Sequence, residues 1–208
     1  MASQELRNRL NWQTLSGRLA LDTENIFYSA LQAALNAVYP DTFIVKQHPV
    51  DLKDIYSKHT LPDSTLSQIY NVGTFDERGR LYEWGIKMDF SITNIKNNKI
   101  LFGEIKRQDG WVEGKDPSAG RGNAHERCCK YFTPGLMRAL RKLSRIDSPE
   151  ILPFWIVFVG DITRDPKRNR EIDFWFQEYK SNYFMWRNTQ DIGSLLDFFE
   201  NNLLQFLL

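Results

Sequence analysis

The chain has only two cysteines among 208 residues, and both, Cys128 and Cys129, are adjacent. Neighbouring side chains on a helix point about 100° apart, so the pair does not close a disulfide without strain. No second cysteine pair or nearby histidine pair completes a zinc site, which predicts reduced, partly buried thiols. No apolar run approaches the roughly 20 residues of a membrane span. The opening Met-Ala-Ser-Gln-Glu-Leu-Arg lacks the apolar core of a signal peptide, so a cytoplasmic chain with no membrane partner is expected. Repeats, low-complexity tracts and Pro/Ser-rich linkers are also missing, which predicts a single domain spanning 1–208. Net charge is only +1, too little to coat a polyanion by bulk charge.

Hydrophobic residues make up 42% of the chain and aromatics 13%, enough for one sizeable core. Charge is concentrated locally instead. Between Arg121 and Arg145 seven cations (Arg121, Arg127, Lys130, Arg138, Arg141, Lys142, Arg145) face one anion, Glu126. A solvated helix face accounts for such a run equally well unless neighbouring motifs give it a task.

Helical spacing of Ile26, Phe27, Ala30, Leu31, Ala34, Leu35 and Val38 predicts a helix over 22–38, capped by Asp22 or Thr23 and stopped by Pro40. Residues 47–80 are poorly periodic and read as short elements and loops, with a turn at Asp76 to Gly79. From Tyr82 the pattern alternates: Tyr82, Trp84, Ile86, Met88, Phe90 and Ile92 on one face, Glu83, Lys87, Asp89 and Ser91 on the other. A strand is expected there, then a tight turn at Asn97-Asn98 and a returning strand over Lys99 to Arg107. A Gly-rich charged loop, 108–121, precedes a helix from near Asn123 whose apolar positions are Cys129, Phe132, Leu136, Leu140 and Leu143, with a break or kink at Pro134. Pro153 to Val159 reads as a central strand covered on both faces, Glu171 to Tyr179 as another strand, and Ile192 to Leu207 as a C-terminal helix. The order favours an α/β domain with a central mixed β-sheet flanked by helices.

The hairpin, about 82–107, carries a chemical constellation: Asp89, fourteen residues, then Glu104-Ile105-Lys106. With Asn97 and Asn98 as the turn, Asp89 lies opposite Lys106 and Ser91 opposite Glu104, so Asp89, Glu104 and Lys106 share one face. Opposed Cβ atoms lie about 5 Å apart and diagonal ones about 7–8 Å, close enough for Asp89 and Glu104 to hold one cation. Two carboxylates suit a hard divalent ion such as Mg²⁺, which can polarise a phosphate and activate water. Lys106 can orient that water or stabilise developing charge. Screened salt bridges on a surface hairpin are the bland alternative.

Asp, a spacer and Glu-x-Lys across a hairpin resemble the PD-(D/E)xK nuclease superfamily. Gly122-Asn123-Ala124-His125-Glu126-Arg127 resembles the recognition block of EcoRI-like type II restriction endonucleases, and the 89–130 segment is most similar to the branch that cuts CAATTG. The resemblance implies a restriction-endonuclease-like fold, Asp89 and Glu104 as metal-binding acids with the Ile105 carbonyl as a further ligand, and Lys106 as the catalytic lysine. Met88 stands where the superfamily has its proline, a position without a catalytic group.

Within the recognition region, about 108–143, the N-terminus of a helix brings free N–H groups and a positive dipole to DNA. Asn123 can contact adenine N6 and N7, Glu126 can accept from exocyclic amines, Arg127 can donate to bases or brace Glu126, and Ala124 can touch a thymine methyl. Arg121 can fork onto guanine O6 and N7. His125 reads as a structural side chain or a phosphate contact. Asn123 with Glu126 also fits a simple helix cap, and capping and recognition are compatible. The resemblance implies an AATT centre, a cut after the first base of CAATTG leaving 5′-AATT overhangs, double-stranded DNA as partner, and a C2 homodimer. The alternatives are a DNA-binding module without cleavage and a repair or junction-resolving nuclease.

Overall fold

The computed structural model describes residues 23–69, 84–109 and 125–208; the expected turn at Asp76 to Gly79, the cap at Asp22 and positions 121–124 lie outside them. A five-stranded mixed sheet runs β1 (Phe43–Gln47), β2 (Phe90–Asn94), β3 (Lys99–Arg107), β4 (Phe154–Val159), β5 (Tyr183–Trp186), in that spatial order. The β1–β2 and β2–β3 pairs are antiparallel, and β3–β4 and β4–β5 are parallel. Helices complete the order: α1 through 23–38, α2 (Asp63–Ile69), a 3₁₀ helix (Glu126–Phe132), α3 (Pro134–Ser144), α4 (Pro166–Phe176), α5 (Ile192–Asn202) and α6 (Leu204–Leu207).

Every residue of β4 is buried, and alternation explains its unbroken apolar run. Trp155, Val157 and Val159 pack with Phe27 and Leu31 of α1 and with Leu195 and Phe199 of α5. Phe154, Ile156 and Phe158 pack on the other side with Tyr131, Leu136, Leu140, Ile172 and Phe176. The sheet is therefore covered on both faces, and β4 is an interior strand, paired on both edges and covered on both faces as its apolar run predicts, while β3 holds the centre of the sheet. Buried Asn182 fixes its entry, accepting from the Leu152 amide at 2.9 Å and donating to the carbonyls of Leu152 (2.9 Å) and Phe154 (2.6 Å).

Four sequence expectations need correction. β2 starts at Phe90, not Tyr82, because residues 84–86 bond elsewhere: the Ile86 amide donates to Leu52 O (3.0 Å), and Tyr56 and Ser57 donate to Trp84 O (2.9 and 3.1 Å). Ile86 and Met88 consequently pack on one side of the sheet and Phe90 and Ile92 on the other, while Trp84 is 67% exposed. The expected strand at Glu171 to Tyr179 is largely helix α4. Asp165 caps it, accepting from the Lys167 and Arg168 amides, Pro166 begins it, and Ile172 and Phe176 bury one stripe four residues apart. Strands β1 and β5 were not anticipated. Finally, Cys128 rather than Cys129 is the buried thiol, because three residues per 3₁₀ turn align Cys128 with Tyr131. Pro134 does divide the region, opening α3 after extended Thr133.

Candidate active site

The hairpin turn has four residues, 95–98, and Asn98 takes the positive φ of 60°. Phe90 pairs with Gly103 and Asn94 with Lys99, so the register differs by two from the one a two-residue turn gives. A shift of two preserves parity. Asp89, Glu104 and Lys106 therefore still share a face, with Asp89 brought toward Glu104 instead of standing opposite Lys106. Gly103 makes the close pairing possible: a Cβ there would lie 2.0 Å from the Phe90 ring.

Asp89 sits where β2 begins. Its amide donates to Gly103 O (3.0 Å), and its carbonyl accepts from the His48 amide (2.9 Å) and the Tyr28 hydroxyl (3.0 Å). Its Oδ2 accepts from the Ile105 amide at 2.8 Å and lies 3.7 Å from Lys106 Nζ. In a strand, one residue's N–H and C=O face the same edge, so the Ile105 carbonyl is directed to the edge that holds Asp89.

Glu104 is only 2% exposed. Lys106 Nζ donates to its Oε2, and the hydroxyl of Tyr131 donates to its Oε1. Burial lifts the Glu104 carboxyl to about 7, opposed by the Lys106 charge and reinforced by that of Asp89. Burial also works against the charge on Lys106, but Glu104 and Asp89 outweigh it, so the ammonium is held above the ordinary lysine value. Burial pushes the neighbouring Cys128 thiol up to about 12, leaving it protonated and no nucleophile. Glu24 of α1 feels the same centre, its carboxyl raised by burial first and by Asp89 second.

The donor set suits a hard divalent ion. Two carboxylates and a strand carbonyl are oxygen ligands, and such an ion keeps waters in its remaining positions. Among the described residues no cluster of three or more His, Cys, Asp or Glu side chains forms a closed metal cage.

The exit from β3 is also fixed. Arg107 pairs with Asp109 (2.7 Å), and Gly160, at φ 87°, fits against Asp109, where a Cβ would lie 2.3 Å from Oδ1.

Of the recognition residues, Arg121, Gly122, Asn123 and Ala124 lie outside the described residues. Glu126 and Arg127 are exposed on the 3₁₀ helix. His125 is not: fully buried, it stacks on Trp175 (centroids 5.5 Å apart), with Nδ1 3.3 Å from Gln108 Oε1 and Nε2 3.3 Å from Glu171. Of the two roles open to His125 in the sequence, its geometry fits the structural one and leaves no surface for a phosphate. Sequence reasoning missed Tyr131 and Glu24, because neither stands in a motif and only the fold brings them to the hairpin.

Similarity to known proteins accords with this geometry. The family model described as type II restriction enzyme MunI matches residues 1–208. The type II restriction enzyme MunI of Mycoplasma sp. is 50% identical over 208 residues, covering 100% of both chains. A crystal structure of MunI restriction endonuclease in complex with cognate DNA is similar with a TM-score of 0.73 and 48% identity, over 95% of this chain and 97% of that one. A non-cleaving binding module and a repair nuclease both give way to this match. A mixed sheet with flanking helices, an acid pair beside a lysine, and likeness over the full length all agree: the chain belongs to the MunI family of type II restriction enzymes, site-specific deoxyribonucleases.

Proposed function

We propose that the protein cuts double-stranded DNA at CAATTG, after the first base on each strand, with Mg²⁺ as its ion and Asp89, Glu104 and Lys106 as its catalytic centre. The observation that carries the reading is the joint placement of those three side chains on one face of the β2–β3 hairpin, Lys106 bridging both acids. Asp89, Glu104 and the Ile105 carbonyl would hold the ion, which when bound polarises the scissile phosphate and lowers the pKa of a water. Lys106 supplies positive charge to the phosphate and orients the attacking water. Asp89 is oriented for its role by the Ile105 amide, and Glu104 by Lys106.

Base reading falls to the 121–127 block. Asn123, Glu126 and Arg127 serve the AATT centre, with Gly122 and Ala124 allowing close approach, and Arg121 serves the outer C·G pair. Cutting both strands of a palindrome needs two equivalent centres, hence a C2 homodimer acting in the cytoplasm, where the DNA is.

Digestion of a sequenced DNA with Mg²⁺, followed by mapping of the ends, tests the reading. The expected result is a discrete ladder whose ends all carry 5′-AATT from CAATTG. A smear, or no cleavage by folded protein, would overturn it. A ladder from GAATTC would correct the outer pair alone.

A further inference from the structure

The hydroxyl of Tyr131 is fully buried and spends its proton on Glu104 Oε1, the oxygen that Lys106 does not take. Packing alone does not require this hydroxyl. The ring lies 5.5 Å from Phe154 within the second core, a place that phenylalanine would fill equally well. A buried carboxylate, by contrast, needs donors: each one it lacks leaves it less able to stay charged.

The position of Tyr131 adds a second point. It belongs to the 3₁₀ helix that begins at Glu126, so the exposed Glu126 and Arg127 stand five and four residues before it. Cys128 and Tyr131 form the inner face of that helix, and Glu126 and Arg127 look outward. The segment offered to DNA is thus tied to the acid of the cutting centre by one hydrogen bond. Lys106 cannot do the same, since it rises from β3 two residues beyond Glu104.

We propose that Tyr131 is a positioning residue: its hydroxyl holds Glu104 in the orientation that receives the divalent cation, and so links the base-reading segment to the cation site. The inference rests on the reading of Asp89 and Glu104 as cation ligands. Hydrogen-bond partners behind metal ligands commonly contribute 10–100-fold to metal affinity, and this hydroxyl is such a partner.

The test compares full-length wild type, Tyr131→Phe, Glu104→Gln and the double variant in binding a fluorescent CAATTG duplex over a Ca²⁺ titration, with thermal melting without metal as a control. Tyr131→Phe should raise the Ca²⁺ midpoint about tenfold or more, leave affinity at saturating Ca²⁺ within about twofold, and raise the Mg²⁺ midpoint for cleavage in parallel. In the Glu104→Gln background the same change should add nothing, because the acceptor it acts through has gone. A Tyr131→Phe midpoint within twofold of a Ca²⁺-dependent wild type would overturn the inference and leave the cation site standing. An equal loss of affinity at every Ca²⁺ concentration would assign Tyr131 to the DNA surface instead and overturn it as well. If wild type binds without regard to Ca²⁺, the cation site itself fails and the inference falls with it.

Discussion

Two buried polar clusters lie at opposite ends of the 3₁₀ helix Glu126–Phe132, and they use burial to opposite purposes. At its start His125 is sandwiched against Trp175, burial and the Arg168 charge hold its imidazole below the usual value, and Arg168 pairs with Glu171 at 2.6 Å. The two charges there, Arg168 and Glu171, pair with each other, while His125 Nε2 and Arg168 Nε are buried without a hydrogen-bond partner among the described residues, and the neutral ring acts as a packing piece. At the other end Glu104 has two donors and yet is lifted to about 7, first because burial penalises its charge and then because its neighbour Asp89 carries the same sign. Two acids that share one lysine are short of positive charge. A charge-balanced cluster packs as part of the fold, whereas an acid-rich one waits for a cation, and the contrast tells packing from chemistry without any bound ligand.

The largest effect should come from removing the lysine that the acids share. Lys106→Ala is expected to lower single-turnover cleavage by at least about 10²–10³-fold, the range for losing a preorganised charge at a reacting centre. Circular dichroism should show the fold retained. Cleavage within a few-fold of wild type would mean that the acid-rich cluster is as inert as the one around His125.

A smaller effect is expected at the DNA surface. Arg121→Ala should cost about 1–3 kcal/mol of discrimination at the outer base pair while the AATT centre is still required. Relative cleavage of CAATTG, GAATTC and centrally altered duplexes measures it. If central substitutions leave cleavage unchanged, the 122–127 block is a helix cap and no more.

The Glu104 carboxyl gives a pH dependence whose sign follows from its value of about 7. Above that pH the group is charged and, with Asp89, repels DNA phosphates; below it a proton removes one of the two charges. Discrimination between specific and unrelated duplexes in EDTA should therefore improve several-fold as pH falls from 8 to 6, and Ca²⁺ at pH 8 should restore it. Equal discrimination at both pH values without metal would remove the electrostatic part of the comparison.

The smallest effect on catalysis should come from the charge-balanced cluster. His125→Asn is expected to cost about 0.5–3 kcal/mol of stability, read as a lower melting temperature, because the stack on Trp175 is lost. The Mg²⁺ midpoint for cleavage should stay within twofold, and a tenfold change would make His125 part of the cutting centre.

The chemistry of the hairpin was legible because facing depends on parity. The turn proved two residues longer than Asn97-Asn98 suggests, and an even error moved partners along the strand without turning any side chain over. Helix α4 was misread for a related reason. Ile172, Phe174 and Phe176 alternate like a strand, but Phe174 is 69% exposed, and the buried pair is Ile172 with Phe176. Asp165-Pro166, a cap followed by a first-turn proline, was the local cue that outweighs that alternation. For β1 and β5 the sequence is four or five residues with a weak pattern, and sheet pairing decides them. Tyr131 carries no signal at all in sequence, since its contact with Glu104 spans 27 residues and depends on how the 3₁₀ helix lies on β3.

Asp89→Ala tests the central claim most directly. The variant keeps Glu104, Lys106 and Tyr131 but breaks the acid pair, and Asp89 lies at the start of β2, where its side chain accepts from the Ile105 amide and lies 3.7 Å from Lys106 Nζ. Purified and shown to melt cooperatively, it should cleave CAATTG in saturating Mg²⁺ more slowly than wild type by orders of magnitude, while binding that duplex specifically in EDTA better than wild type does. Turnover like that of wild type from the folded variant would contradict the account.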